Sequence, residues 1–266
     1  MGIVNITADS FSDGGKYLDA AAAIAHARAL LADGADIVDL GPLSSHPDGA
    51  GVGAAEEIRR LEPVLEALAD RLASVSIDSF LGETQRFAAQ RGVGLLNDIH
   101  GFAEPALYPA LAAAPCRLVL MHAVQREGAA TRVDLPAADM LDRIRRFFAD
   151  RLAALAQAGI ARERIILDPG MGFFLSSRAE ASLQVLANLD RLRREFALPI
   201  LVSVSRKSFL RAITGRALQA IGPATLAAEL FAAEAGADYV RTHDAAALRD
   251  GLRVLSALRA VGHRRD

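Results

Sequence analysis

"IILDPGMGFFLSS", residues 165–177, carries the pattern that decides the fold. A short run of branched apolar residues ends in a carboxylate, Asp168, and the chain then turns on Pro169, Gly170 and Gly172. An apolar run without alternation describes a strand buried on both faces, as in a parallel sheet covered by helices. The same pattern recurs in "GIVNI" at 2–6, "DIVDL" at 36–40, "SVSID" at 74–78, "GLLND" at 94–98, "RLVLM" at 117–121, "ILVSV" at 200–204 and "DYVRT" at 238–242. Between the runs lie stretches such as "AAAAIAHARALLADGA" (20–35) and "AAEEIRRLEPVLEALADRL" (54–72), where apolar residues return every three or four positions and charges occupy the other face. Those stretches predict helices.

Eight alternations of strand and helix within 266 residues have the size and rhythm of a closed (β/α)8 TIM barrel, one domain spanning residues 1–266. An open, doubly wound parallel sheet is the alternative, because alternation alone does not prove closure; the Gly-rich dinucleotide turn usual in that fold is missing. The 30 basic and 32 acidic residues nearly cancel, which argues against a nucleic-acid surface. No run reaches membrane-spanning length, and the chain opens as a strand and a polar loop rather than a signal peptide, so a cytoplasmic protein is expected. The single Cys116 reads as a buried structural thiol. No pair of His or Cys has zinc-ligand spacing.

The polar residues are the more informative ones. Asn5, Asp39, Asp78, Asn97 with Asp98, His122, Asp168, Ser205 with Lys207, and Arg241 with His243 stand at or just beyond the ends of the apolar runs. In a barrel these ends converge on the C-terminal rim, where active sites of this architecture lie. Each alone has a plain explanation: Asp78 as a helix cap, Asn97 and Asp98 as a turn, His122 as a core histidine. Together they outline a site. His26 and His263 read instead as solvated positions.

A rim of this composition suits a flat heterocycle with an amino-pyrimidinone edge, because carboxylates such as Asp78 and Asp168 can accept paired N–H bonds and Asn97 can complement them. Lys207, Arg241 and His243 supply donors for carbonyl and anionic groups. The first loop, "NITADSFSDGGKY" (5–17), is long and polar and reads as a lid. Its Asn5 offers a hard oxygen to a Mg2+ held mainly by a diphosphate.

The blocks "GIVNITADSFSDGGKY", "DIVDLG", "SVSIDSF", "LLNDIHGF", "LDPGMGF", "SVSRKSFL" and "YVRTHD" resemble, in order and over nearly the whole chain, the signature blocks of the dihydropteroate synthases. That family has a pterin-binding TIM barrel. It joins 6-hydroxymethyl-7,8-dihydropterin diphosphate to p-aminobenzoate, releasing pyrophosphate on the route to folate. The resemblance implies that Asp78, Asn97, Asp168 and Lys207 hold the pterin, that Asn5 reaches Mg2+, and that Arg241 and His243 hold the diphosphate. It further implies that Asp9 and Phe11 close over the aminobenzoate, with Ser45 and Ser205 near it. Pairing through outer helices as a homodimer is expected.

Departures from the family pattern matter equally. Where most members read "GGESTRPGA" this chain reads "GPLSSHPDGA" (41–50), so Leu43, Ser45 and His46 replace Glu, Thr and Arg, and His46 becomes the second loop's candidate diphosphate contact. Where the family reads "LDPGFGFGK" this chain has Phe174 and Leu175 in place of Gly and Lys. These departures are similar to those of the sulfonamide-resistance branch, and Phe173 and Phe174 are read as a wall beside the aminobenzoate that excludes bulkier arylamine drugs. Two other readings stand beside the synthase: a corrin-dependent methyltransferase domain of the same superfamily, disfavoured by "SRKS" and "DSFSDGG", and a non-catalytic or altered-specificity pterin-binding homologue.

Overall fold

The computed structural model describes residues 1–6, 16–42, 52–125 and 132–262. Eight strands alternate with helices: β1 Gly2–Asn5, α1 Lys16–Ala32, β2 Val38–Gly41, α2 Ala54–Ala67, β3 Val75–Asp78, α3 Gly82–Arg91, β4 Leu95–Asp98, α4 Tyr108–Ala113 and β5 Arg117–Met121. The second half continues with α5 Met140–Gln157, β6 Ile165–Asp168, α6 Ala179–Leu186, α7 Leu189–Phe196, β7 Leu201–Val202, α8 Ser208–Thr214, α9 Gly222–Glu234, β8 Tyr239–Val240 and α10 Ala245–Gly262. All eight apolar runs are strands. Those at "ILVSV" and "DYVRT" are shorter than the sequence pattern, with two ladder residues each.

The sheet closes. Strands β1 to β6 pair in sequence order, all parallel, and β7 pairs with β8. A parallel bridge between Leu167 and Ile200 joins β6 to β7, and one between Gly2 and Thr242 joins the end of β8 to β1. At the latter seam the Ile3 amide donates to the Thr242 carbonyl and the Thr242 amide to the Met1 carbonyl, both at 2.9 Å. A doubly wound sheet reverses strand order at a switch point, whereas this order runs once around; the open-sheet alternative is thereby excluded.

Strand parity sorts the side chains into two cores. Outward-facing Val4, Val38, Leu40, Val75, Ile77, Leu96, Leu118, Leu120, Leu167, Val202 and Val204 pack beneath the helices in the main hydrophobic cluster. Inward-facing Ile37, Leu95, Val119, Ile166 and Leu201, with Met1 and Tyr239, form a separate plug inside the barrel. Cys116 belongs to the outer core, as the sequence predicts. Gly92 shows the turn chemistry that returns the chain from helix to strand: it caps α3 in the left-handed region, at φ 80°. No described helix is long and apolar enough to cross a membrane.

Candidate active site

Above the apolar plug the barrel interior becomes polar. Asp39, Asn97 and Asp168 are buried on the inner face of β2, β4 and β6, while Asp78 ends β3 and Arg241 follows β8. Their positions follow from register: Asp78 lies opposite Asn97, and Met121 opposite Asp168. Arg241 spans the group, donating through Nε to Asp39 Oδ2 at 2.6 Å and through Nη2 to Asp78 Oδ2 at 2.7 Å. Asn97 Nδ2 donates to the same Asp39 oxygen at 3.2 Å. Asp39 Oδ1 and Asn97 Oδ1 have no partner, so the cluster retains acceptor capacity.

Asp168 is held by its own turn. The Gly170 amide donates to Asp168 Oδ1 at 2.8 Å. Gly170 has φ 76°, and a Cβ there would stand 2.3 Å from the His122 carbonyl oxygen, so only glycine fits this exit from β6. Lys207, preceding α8, places its ammonium 4.7 Å from the centre of the Phe174 ring, a cation–π contact. Asp78, Asn97, Met121, Asp168, Lys207 and Arg241 line a cavity of about 20 Å³, room for one water.

Burial dominates the proton affinities. It pushes the Asp168 carboxyl up to about 6 against the Gly170 amide, Lys207 and Arg241. It pushes Asp78 up to about 7, with Arg241 the leading opposing influence. Lys207 is lowered to about 8 by burial and by Arg241, while Asp168 and Asp78 pull it back. Three carboxyls against two cations leave an acceptor-rich interior, suited to a ligand that presents N–H groups.

The residues assigned to the anion half gather at the ends of β7 and β8. Ser205 Oγ accepts the His243 amide at 3.2 Å and lies 2.9 Å from His243 Nδ1. Burial, followed by Arg206, Arg241 and Lys207, lowers His243 to about 3, so the ring is neutral. Ser205, linked by resemblance to the second substrate, thus contacts His243. Asn5 is exposed at the end of β1. Arg241, linked by resemblance to the diphosphate, has its guanidinium occupied by the two carboxylates of the recognition half.

Phe174 is buried and packs with Ile99 and Met121, against which Phe80, Ala123 and Phe173 also pack. Phe173 is half-buried and lies under the Arg132 guanidinium, 5.5 Å from its centre. The adjacent aromatics therefore share one cluster but differ in burial and in the cation each meets, Arg132 at Phe173 and Lys207 at Phe174. Asp9, Phe11, Ser45, His46 and His263 lie outside the described residues. His122 is a core histidine: its Nδ1 lies 3.2 Å from the Pro169 carbonyl, and burial lowers it to about 4. Asp98 takes the turn role, accepting the amides of His100 and Phe102 at 2.7 and 2.9 Å. Asp39 belongs to the site although the sequence marks it only as a strand-end carboxylate. The available signal is its place in the same rim set as Asp78 and Asp168.

Comparison with known proteins agrees with this geometry. The family profile described as "Pterin binding enzyme" matches residues 1–243. The chain is 58% identical over 259 residues to the dihydropteroate synthase type-2 of Escherichia coli, covering 97% of this chain and 95% of that one. It superposes on the Xanthomonas albilineans dihydropteroate synthase with 4-aminobenzoic acid at a TM-score of 0.87 and 38% identity, covering 98% and 92% of the two chains. The same enzyme in complex with 7,8-dihydropteroate gives a TM-score of 0.80 and 35% identity over the same shares. On a match of this extent the chain belongs to the pterin-binding dihydropteroate synthase family.

Proposed function

We propose that this chain condenses 6-hydroxymethyl-7,8-dihydropterin diphosphate with p-aminobenzoate to give 7,8-dihydropteroate and pyrophosphate, a transferase step of folate biosynthesis. The observation that carries the reading is the buried cluster of Asp78, Asn97, Asp168, Lys207 and Arg241 at the strand ends of a chain so similar to known synthases. In this reading the pterin's N–H edge bonds to Asp168, with Asn97 and Asp78 completing the heterocycle's perimeter and Lys207 donating to its carbonyl. The ring's N–H groups replace the Arg241 guanidinium at Asp78. The freed guanidinium then turns toward the diphosphate.

The chemistry asks little of the protein beyond electrostatics. The methylene C–O bond breaks, the arylamine nitrogen forms the new C–N bond and sheds one proton, and pyrophosphate leaves. An arylamine is already a neutral nucleophile near pH 7, so no dedicated base is needed; the main contribution is positive charge brought to where negative charge departs, from Arg241 once it leaves Asp78 and from His243 once the ligand's charge favours its protonation. The donor set fits a sparsely held Mg2+: among the described residues no three His, Cys, Asp or Glu are arranged to hold a metal ion, and Asn5, exposed at the rim, offers one amide oxygen. When bound, Mg2+ neutralises the leaving diphosphate. Asp9, Phe11 and Ser45 serve the second substrate and His46 the diphosphate in this reading.

Exposed Ile213, Leu218, Phe231, Val254, Leu258 and Val261 lie on or beside α8, α9 and α10. They support pairing of two copies through these outer helices, since apolar groups of this extent usually mark an interface. The Phe174 contact with Lys207 likewise supports a selectivity wall. A rigid aromatic at the edge of the pocket accepts a planar carboxylate and rejects a bulky sulfonyl group.

Five outcomes are expected. With both substrates and Mg2+ the chain releases pyrophosphate, and chelation of the metal suppresses release; pterin binding without release instead identifies a non-catalytic homologue. By calorimetry, wild-type affinity for the pterin is greatest between about pH 7 and 8; it falls at lower pH as Asp78 and then Asp168, at about 7 and 6, take up protons and lose acceptor capacity, and at higher pH as Lys207, at about 8, loses the proton it donates. Asp168→Asn weakens binding by about 3 kcal/mol and removes the part of that dependence near about pH 6; unchanged affinity refutes the assignment. Phe174→Gly lowers the sulfonamide inhibition constant more than it raises KM for p-aminobenzoate, and unaltered inhibition moves the wall elsewhere. Light scattering gives twice the 28.1 kDa chain mass, and Val254→Glu with Leu258→Glu halves it.

A further inference from the structure

Phe173 and Phe174 sit on a single 3-10 turn, Gly172–Phe174, that carries the chain from β6 toward α6. Within the turn the Leu175 and Ser176 amides donate to the Gly172 carbonyl, at 2.9 and 3.1 Å. A short turn of this kind has poor hydrogen-bond geometry and little stability of its own. A wall built on it is rigid only if something else holds it. Residues 132–135, on the way from β5 to α5, supply that hold. The Ser177 amide donates to the Val133 carbonyl at 2.8 Å. Ser176, 2% exposed, accepts the Leu135 amide at its Oγ at 3.0 Å and donates that hydroxyl's proton to the Leu135 carbonyl at 2.9 Å. Arg178 adds a two-pronged pair to Asp134, Nε to Oδ1 and Nη2 to Oδ2, the second at 2.9 Å. At the other end Arg132 lies over the Phe173 ring. Leu135 itself packs against the outer core, which anchors the residues that do the holding.

We propose that residues 132–135 form a strap that keeps Phe173 and Phe174 from yielding, and that Ser176 and the Asp134–Arg178 pair, which fasten it, are positioning residues for the choice between arylamines. The inference deepens the selectivity-wall reading above and rests on it. A planar carboxylate meets the wall where it stands, whereas a sulfonyl group carrying a heteroaryl substituent needs the aromatic pair to move. Moving the pair draws on the strap, because Ser176 follows Phe174 by two residues and Arg132 covers Phe173. The strap's bonds therefore enter the cost of binding the bulky ligand and not that of the planar one, which is how a difference in affinity arises. Ser176 matters most: without its hydroxyl the Leu135 amide and carbonyl both lose a partner in a part-buried place. Asp134 and Arg178 are exposed, so their pair adds less.

The test is calorimetric: dissociation constants of p-aminobenzoate and of an N-heteroaryl sulfonamide, each with 6-hydroxymethylpterin and pyrophosphate present so that nothing turns over. Ser176→Ala tightens the sulfonamide about tenfold, the scale of one or two lost hydrogen bonds, and leaves p-aminobenzoate nearly unchanged. Arg178→Asp tightens it about threefold, as suits an exposed pair, and adding Asp134→Arg to the same chain restores the wild-type value. That exchange is the second route should Ser176→Ala not fold. Placed on Phe174→Gly, Ser176→Ala brings no further gain, because the wall through which it acts is already gone. Wild-type sulfonamide affinity in Ser176→Ala and Arg178→Asp overturns the inference, as does equal tightening of both arylamines or full additivity with Phe174→Gly. A sensitised Phe174→Gly beside an unaltered Ser176→Ala refutes the strap alone, whereas an unaltered Phe174→Gly refutes the wall and the strap with it. Since no turnover is read, a chain that fails to condense its substrates refutes the proposed reaction and leaves the strap to be judged by the two constants.

Discussion

Arg241 reaches from the end of β8 across the barrel to Asp39 on β2 and Asp78 on β3, and much of the rim's behaviour follows from that bridge. The two seams beside β7 and β8 are closed by single bridges, so the side-chain link supplements a thin part of the ladder. The bridge also settles the electrostatics of an interior that holds three carboxyls. Without the guanidinium, Asp39 and Asp78 would face each other unpaired and out of water, which costs several kcal/mol per charge. Yet a buried ion pair is only a modest net stabiliser against a well-packed apolar alternative. A bridge of that kind can be exchanged: a ligand that offers N–H donors to Asp78 replaces the guanidinium bond for bond.

That exchange couples the two halves of the site. Arg241 sits among the acceptors, and the group it serves in the proposed reaction lies on the anion side. One cation therefore cannot fully satisfy both at once. In the proposed reaction, filling the recognition half lowers the cost of turning Arg241 outward. Coupling of this type needs no relay through the fold, only a shared residue with two sets of partners.

The barrel was legible in the sequence because its strands are buried on both faces and their apolar runs lack alternation. Closure was not, since it depends on Leu167 with Ile200 and Gly2 with Thr242, single contacts that leave no periodic trace. The rim set could be read as a whole because strand ends share one face. Individual partners could not: Asp39 and Arg241 are 202 positions apart, and nothing local to "DIVDL" distinguishes a ligand-facing carboxylate from a turn. Phe173 and Phe174 show the same limit at close range. Both were visible as aromatics, but nothing local told that the 3-10 turn at Gly172–Phe174 buries Phe174 beside Lys207 and leaves Phe173 half-buried beside Arg132.

The contrast between the two halves has a common physical origin. In the recognition half Arg241 is paired with Asp39 and Asp78, and burial keeps Asp78, Asp168 and Lys207 between about 6 and 8, so each can change partner without a large change of solvation. In the anion half the histidine is held neutral by burial and, after it, by the cations around it. A site built to receive a polyanion cannot keep all its positive charge unpaired beforehand, because mutual repulsion in a buried volume would unfold or flood it. In the proposed reaction Arg241 solves this by pairing with aspartates beforehand, and His243 by remaining neutral until the ligand's own charge makes protonation favourable. Both devices place the positive charge only when there is something for it to stabilise.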